Sequence, residues 1–428
     1  MWTPCSRRRN GCGRMRRYEP FSAKQLQLLT WWGERSPYRD YDGIIADGAV
    51  RSGKTLAMSL SFVLWAMERF DGGDFAMCGK TIGSLRRNVL HDLKRRLIAR
   101  GFAVREVWSE HYWDVRGPRS KNRFYIFGGG DTRSAELIQG MTLSGVLFDE
   151  AALMCPDFVS QATARCSVDG SKFWFNCNPE GPRHWFKTNW VDKRQEKRLC
   201  YLHFTMADNA ALTKTVRERY ERMYTGVFYD RYVRGLWAAA EGLVYDMFGE
   251  SCLADDGERE YEQYYITCDY GTQNPTVFLL WGLFGGVWYA VKEYYYDGRA
   301  AGVQKTDAQY AADFAAFAGG LPYRAAILDP SAASFIAALR QEGVKVRRAN
   351  NAVVDGIRLT GSLLSQGRIK ICRSLTHTID EFGSYRWAEA ALERGEDKPE
   401  KQNDHAMDAV RYFCNTVLRR PRRDNKSR

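Results

Sequence analysis

The segment Gly48-Ala-Val-Arg-Ser-Gly53-Lys54-Thr55 has the residue types and spacing of a phosphate cradle, G-x-x-x-x-G-K-[ST]. Backbone N–H groups along Gly48, Arg51, Ser52 and Gly53 can point at a β-phosphate. Lys54 can reach the β- and γ-oxygens, and the Thr55 hydroxyl can ligate Mg²⁺. A helix opening at this loop turns its positive end toward the anion. Downstream, Gly145-Val-Leu-Phe-Asp149-Glu150 reads as an apolar strand ending in two acids. Asp149 would hold the Mg²⁺ shell, and Glu150 would polarise the attacking water as general base. An Asp-Glu pair in that place implies ATP hydrolysis rather than a GTPase-style switch. Asn176-Cys-Asn178-Pro179 closes the next strand. The Asn178 amide could sense the γ-phosphate, although Asn-Pro also makes plain turns. Phe21 and Gln25 could pack and read an adenine, or simply start an amphipathic helix. Arg51, Arg86 and Arg87 are the candidates for an arginine finger, acting in cis or from a neighbouring subunit.

A second constellation lies in the C-terminal half. Asp269 and Asp329 each end an apolar strand, and Asp404, His405 and Asp408 open the last helix. Residues three and four apart share a helical face. Carboxylates from two strand ends and one helix could hold two Mg²⁺ or Mn²⁺ ions through hard oxygens. Such ions clamp the attacking and leaving oxygens of a phosphodiester. The catalytic set is then Glu150 for ATP, and Asp269, Asp329 and Asp408 for the diester. Asp329, before Pro330-Ser331, also reads as a helix cap.

These residues need scaffolding. From about residue 41 to 178, short β-rich runs alternate with helical runs, as in α/β domains. Strands are expected at 43–47, 75–78, 123–127, 145–148 and 172–176, and helices at 56–70 and 84–99. A charged helix is expected at 214–232. Acidic and glycine residues over 241–262 suit a linker. Three consecutive strands follow, with Gly285-Gly286 as the hairpin turn between the last two. A helix and the Asp329 strand come next, in the order of a ribonuclease-H-like fold. The expected divisions are a basic arm at 1–20, a P-loop (RecA/ASCE-like) ATPase domain with a helical lid at 21–240, a linker at 241–262, a ribonuclease-H-like nuclease domain at 263–416 and a basic tail at 417–428. The fold class is α/β throughout.

The composition agrees with this division. Net charge is +12, and hydrophobic residues make up 45% of 428, enough for more than one core. Both ends are arginine-rich, which favours a polyanionic partner such as nucleic acid. No apolar run is long enough to span a bilayer. The eleven cysteines include no C-x-x-C pair, so a zinc ribbon is not expected and reduced, buried thiols are.

Taken in order, the motifs resemble the large terminase subunit of tailed bacteriophages, in the group typified by defective Bacillus prophages. The resemblance runs from about Phe21 to Tyr412. Besides the motifs above, it rests on Ile138-Gln-Gly-Met-Thr, His184-Trp-Phe, Cys268-Asp-Tyr-Gly271, Asp355-Gly-Ile357, Asp404-His-Ala-Met-Asp408 and Arg411-Tyr412. It implies a motor that pumps double-stranded DNA into a procapsid and cuts concatemeric DNA. It implies ATP and Mg²⁺ or Mn²⁺ as cofactors, and a portal protein and a small terminase subunit as partners. It also implies a homo-oligomer while packaging, no membrane, and the host cytoplasm as location. The family's P-loop arginine sits a residue or two before Arg51. Its metal ligands on the last helix vary, and the pattern here favours Asp408 with His405 over Asp404. Two other readings are a recombination or repair ATPase-nuclease and a vestigial DNA-binding component. No helicase-like motif set follows Asn178, and the intact Lys54, Thr55, Asp149 and Glu150 count against loss of activity.

Overall fold

The apolar runs of the first half pair into one eight-stranded sheet. Its strands are β1 (Gly43–Gly48), β2 (Asp74–Gly79), β3 (Ala103–Val107), β4 (Tyr112–Arg116), β5 (Lys121–Gly128), β6 (Gly145–Asp149), β7 (Lys172–Asn176) and β8 (Leu199–Phe204). This computed structural model describes residues 21–257, 259–271 and 274–419. The basic arm expected over 1–20 and residues 420–428 of the basic tail lie outside them. The strand order is β3-β4-β5-β2-β6-β7-β1-β8. Six neighbouring strands are parallel, and β3 and β4 add an antiparallel edge. Strand β7 lies between β1 and β6, so its end falls between the phosphate loop and the Asp149-Glu150 pair. The helix Lys54–Arg69 packs across the sheet, with Trp65 4.6 Å and Phe62 5.2 Å from the Trp174 ring. Each such aromatic pair is worth about 0.5–1.5 kcal/mol beyond the area it buries. That anchors the helix whose first residues are Lys54 and Thr55.

The second sheet contains β9 (Leu253–Ala254), β10 (Gln263–Asp269), β11 (Thr276–Phe284), β12 (Val287–Tyr296), β13 (Tyr323–Leu328), β14 (Val346–Arg348) and β15 (Ile369–Cys372). Its order is β14-β13-β10-β11-β12-β15-β9. The β10-β11-β12 meander is antiparallel, and β13 joins β10 in parallel. This is the ribonuclease-H-like arrangement. Both turn glycines of the β11–β12 hairpin, Gly285 and Gly286, have positive φ, as a tight hairpin turn requires. The strand ends therefore bring Asp269 and Asp329 side by side, and the helix His405–Phe413 packs against β10 and β11.

Two expectations need correction. The stretch 241–262 is not a loose connector through its length. Ala240, Val244, Tyr245 and Cys252 are buried in the second core, and Leu253–Ala254 pairs with β15 at the sheet edge. The charged helix expected at 214–232 is broken. It runs Lys214–Glu221, then restarts at Gly226–Tyr229, and continues as a π-helical turn over Asp230–Arg234. Gly226, at φ +52°, marks the restart. That π turn touches both halves. Val50 N–H in the phosphate loop donates to the Tyr232 carbonyl at 2.9 Å. Arg231, fully buried, donates to both carboxylate oxygens of Asp397 and, at 3.4 Å, to Glu180 Oε2. A buried guanidinium with two carboxylates and the Ala238 carbonyl has its fork filled.

Candidate active sites

The first site is built at the C-terminal ends of β1, β6 and β7. Strand β1 is buried along its whole length, because β7 and β8 flank it. Its Asp47 is fully buried and accepts hydrogen bonds from Tyr201 (2.9 Å) and Trp237 (2.6 Å), with His203 Nδ1 at 2.9 Å. The loop then turns sharply at Gly48, φ +122°. A Cβ there would lie 1.9 Å from the Phe204 carbonyl oxygen, so only glycine fits. Gly53, also left-handed, is the N-cap of the Lys54–Arg69 helix. Arg51 takes φ +59°, an uncommon conformation for a side-chain-bearing residue.

Lys54 is buried, and its Nζ donates to the carbonyls of Gly48 (2.9 Å) and Ala49 (2.7 Å), to Ser52 Oγ (3.3 Å) and to Asn178 Oδ1 (3.2 Å). Burial brings its pKa down to about 8, against the pull of Cys177, Asp47 and Asp149. Asp149 is pushed up to about 7, first by burial and then by Glu150. Glu150 itself sits at φ +59°, ψ +47°. A non-glycine residue held there stores on the order of 1–3 kcal/mol of strain, a cost that clusters at functional sites.

Sequence reasoning missed Asn176. Its Nδ2 lies 3.0 Å from Thr55 Oγ1 and 2.5 Å from Asp149 Oδ1, so one amide joins the two expected Mg²⁺ ligands. Its buried Oδ1 has no hydrogen-bond partner among the described residues. Two juxtaposed hard oxygens and an unsatisfied carbonyl oxygen suit a hydrated Mg²⁺. The available signal is the position itself, the last residue of a strand lying between the other two.

The remaining expected residues fall as follows. Gln25 is buried beneath the loop, its Oε1 accepting from Ser22 N–H (3.0 Å) and its Nε2 donating to the Ser52 carbonyl (3.4 Å). Its amide thus caps its own helix and props the loop. Phe21 packs on the first core. A cavity of about 600 Å³ contains Arg51, Lys54, Thr55, Asp149, Glu150, Asn178 and Arg87 along its walls. Arg51 Nε donates to the Tyr220 hydroxyl at 2.7 Å. Arg86 is drawn elsewhere, 3.7 Å from Glu106 and with its guanidinium 4.0 Å from the Trp108 ring centre. The helical run 82–98 contains a π turn at Arg86–Leu90, a feature frequent at functional sites. Of the three candidate fingers, then, Arg51 and Arg87 face the cavity and Arg86 does not.

The second site gathers around Asp269 and Asp329. The Tyr412 hydroxyl donates to Asp329 Oδ2 (3.2 Å) and to Asp269 Oδ1 (3.4 Å), so one group reaches both. His405 Nδ1 is 3.0 Å from Asp269 Oδ2. Burial raises Asp269 to about 6. The His405 contact opposes the rise, and Asp408 adds to it. Burial also pushes Asp329 up, but hydrogen bonds from Ser331, Asn351 and Tyr412 outweigh it and hold the group below its ordinary value. The Ser331 N–H bond, 2.8 Å, closes a local turn and not the helix cap that the sequence allowed, since the next helix begins at Ala333 with Ala332 as its N-cap and no side-chain cap bond.

Asp408 is paired with the buried Arg411 at 2.7 Å, and Asp404 with Lys401 at 3.1 Å. No three acids, histidines or cysteines form a ready metal-ligand group among the described residues. The donor chemistry still fits a hard divalent ion, since the carboxylates converge and their present partners are polar side chains. A second missed residue is Glu381. Its Oε2 accepts from the Ala406 (2.7 Å) and Met407 (3.2 Å) N–H groups, which caps the last helix. A lone glutamate on the helix Thr376–Ser384 that caps another helix leaves no signal in sequence.

The two sheets and two sites define a P-loop ATPase joined to a ribonuclease-H-like nuclease. Residues 45–251 match the family described as terminase large subunit, T4likevirus-type, N-terminal. The chain is similar to the solved large terminase of a thermophilic bacteriophage, at 55% identity and a TM-score of 0.88, covering 94% of this chain and all of that one. The same phage protein in complex with ADP, and in complex with ATP-gamma-S, matches at 55% identity and a TM-score of 0.84, covering 93% of this chain and all of each. No curated protein matches. The chain belongs to the large terminase subunits of bacteriophages, the ATPase and nuclease components of DNA-packaging motors. No helix among the described residues is long and apolar enough to cross a membrane.

Proposed function

We propose that the chain hydrolyses ATP at Lys54, Thr55, Asp149 and Glu150 to move duplex DNA into a procapsid, and cuts that DNA at Asp269, Asp329 and the last helix. The observation that carries the first half is the Asn176 amide, which holds Thr55 and Asp149 together at the foot of the phosphate loop. The nucleotide complexes of the thermophilic phage protein support the same reading. Lys54 binds the β- and γ-phosphates, Glu150 takes the proton of the attacking water, and Asn178 follows the γ-phosphate through its contact with Lys54. Bound to Thr55 and Asp149, Mg²⁺ would offset charge on the phosphates.

At the second site Asp269, Asp329 and His405, with Asp408 or Asp404, would hold Mg²⁺ or Mn²⁺, which lowers the cost of charge on the scissile phosphate. His405 and Tyr412 keep Asp269 oriented, and Arg411 offsets Asp408. The ATPase unit comprises residues 21 to about 236, and the nuclease unit includes much of the stretch from 240 onward. The partners of this reading are double-stranded DNA, a portal protein, a small terminase subunit and further copies of the chain, in the host cytoplasm. The test is ATP turnover with and without duplex DNA. Duplex should stimulate turnover in the parent, and Asp149→Ala should abolish both basal and stimulated rates. Turnover that persists in Asp149→Ala would refute the assignment.

A further inference from the structure

We infer that Arg358, supplied by the nuclease half, is a positioning residue for ATP hydrolysis at Glu150. The inference rests on the reading of Glu150 as general base. Adjoining the nucleotide cavity, with Val50, Glu150 and Asn178 in common, lies a smaller one of about 220 Å³, whose walls also include Glu180, Tyr232 and Arg358. Its charged groups are two carboxylates of the ATPase half and one guanidinium of the other half. Arg358 stands on the helix Val353–Ser365. Opposite charges sharing a small, part-enclosed space attract more strongly than they would in water.

Two contacts fix the guanidinium. Its Nη2 is 2.8 Å from Asp355 Oδ1, one turn earlier on the same helix. Its carbon lies 5.5 Å from the centre of the Tyr232 ring, and the Tyr232 carbonyl accepts from Val50 in the phosphate loop. The residue between these contacts is explained by the other site. A Cβ on Gly356 would come 2.5 Å from Arg411 Cγ, so the glycine lets the last helix close in. Arg411 in turn holds Asp408. A single helical turn, Asp355-Gly-Ile-Arg358, therefore touches the nuclease helix on one side and the Glu150 cavity on the other.

The plain alternative is a surface i,i+3 ion pair between Asp355 and Arg358, worth about 0.2–0.5 kcal/mol. It accounts for the 2.8 Å contact but not for a cavity shared with Glu150, Asn178 and Glu180. A guanidinium there draws on Glu180 and, across the shared cavity, orients Glu150. Lys54 and the loop amides grip the phosphates, so Arg358 should govern kcat rather than ATP affinity.

The experiment uses the full-length chain with ATP and Mg²⁺. Arg358→Met should lower kcat at least ~10-fold while leaving KM for ATP within about twofold, the signature of a group that acts in the transition state. Arg358→Lys, which keeps the charge, should regain most of the loss. A kcat for Arg358→Met within about twofold of the parent overturns the inference, as does a Lys variant no better than the Met variant. A KM that rises as kcat falls also overturns it, since that marks a binding role. Thermal unfolding of each variant shows whether it is folded. Should Arg358→Met not fold, Arg358→Gln decides by the same two criteria. A parent chain without ATP turnover brings down the ATPase reading itself, and with it this inference.

Discussion

The two sites gather acidic groups in opposite ways. In the first, the proposed ligands Thr55 and Asp149 come from a helix start and a strand end, and a neighbouring strand supplies the Asn176 amide that joins them. Backbone hydrogen bonds of a parallel sheet set those positions. In the second, Asp269 and Asp329 also stand on adjacent strand ends, but the other donors arrive on a helix well over a hundred residues after Asp269. That helix is held by Glu381 and by its own Tyr412, His405 and Arg411, which reach Asp329, Asp269 and the Asn351 carbonyl. The first site has a backbone frame bridged by one amide side chain. The second depends on one helix being seated, so its geometry can be disturbed from outside the sheet.

The largest effect tests whether the two are separate. Glu150→Gln should reduce ATP turnover by ~10²–10⁴-fold, the usual worth of a positioned general base. The same preparation should cut DNA in Mn²⁺ at the parent's rate. Asp269→Asn should do the reverse, with cutting lost and basal ATP turnover kept. If either variant loses both activities while folded, the division into two sites breaks down.

A smaller effect sharpens the contrast between backbone-set and side-chain-set ligands. Removing the supporting group in Asn176→Ala should cost ~10–100-fold in ATP turnover and raise the Mg²⁺ needed for half-maximal rate. Tyr412→Phe should cost the nuclease less, because Asp329 keeps Ser331 and Asn351, and Asp269 keeps His405. Titrations of each activity against Mg²⁺ and Mn²⁺ would read both. Equal losses would mean that the second site is as tightly built as the first.

How far the sequence can be read follows the same line. The P-loop, the Asp149 strand and the β10–β12 meander are legible, because short-range rules write them: glycine spacing, apolar runs, a Gly-Gly turn. Strand β8 escapes a sequence reading, as it follows the charged run 192–198 and its later positions alternate between buried and half-buried. The hairpin β3–β4 escapes it too, because β3 has no buried position and carries Arg105 and Glu106. Asn176 and Glu381 act through residues 27 and 25 positions away; only a strand-end position marks the first, and nothing local marks the second. The stretch 241–262 reads as a linker because acidic and glycine residues at its surface disguise Val244, Tyr245 and Cys252, which are buried.

The joint between the two regions should change turnover least and stability most visibly. Arg231 is shared unequally there. Asp397 takes it with both oxygens, whereas Glu180 has one contact at 3.4 Å. Burial therefore dominates at Glu180 and raises it to about 7, against the pull of Arg231 and with a further push from Asp397. A carboxyl with a raised folded pKa keeps its proton in the folded state where the unfolded chain, with its pKa at 4.5, has lost it. Its contribution is complete below pH 4.5 and is lost as pH rises through 7. Glu180→Gln mimics the protonated form and removes that loss. Between those limits the parent should weaken relative to the variant by about 3 kcal/mol. Urea unfolding of both proteins across the window measures it. Parallel profiles, or a gap that opens as pH falls, would show that Glu180 is ionised alongside Asp397, with Arg231 holding two charges across the joint.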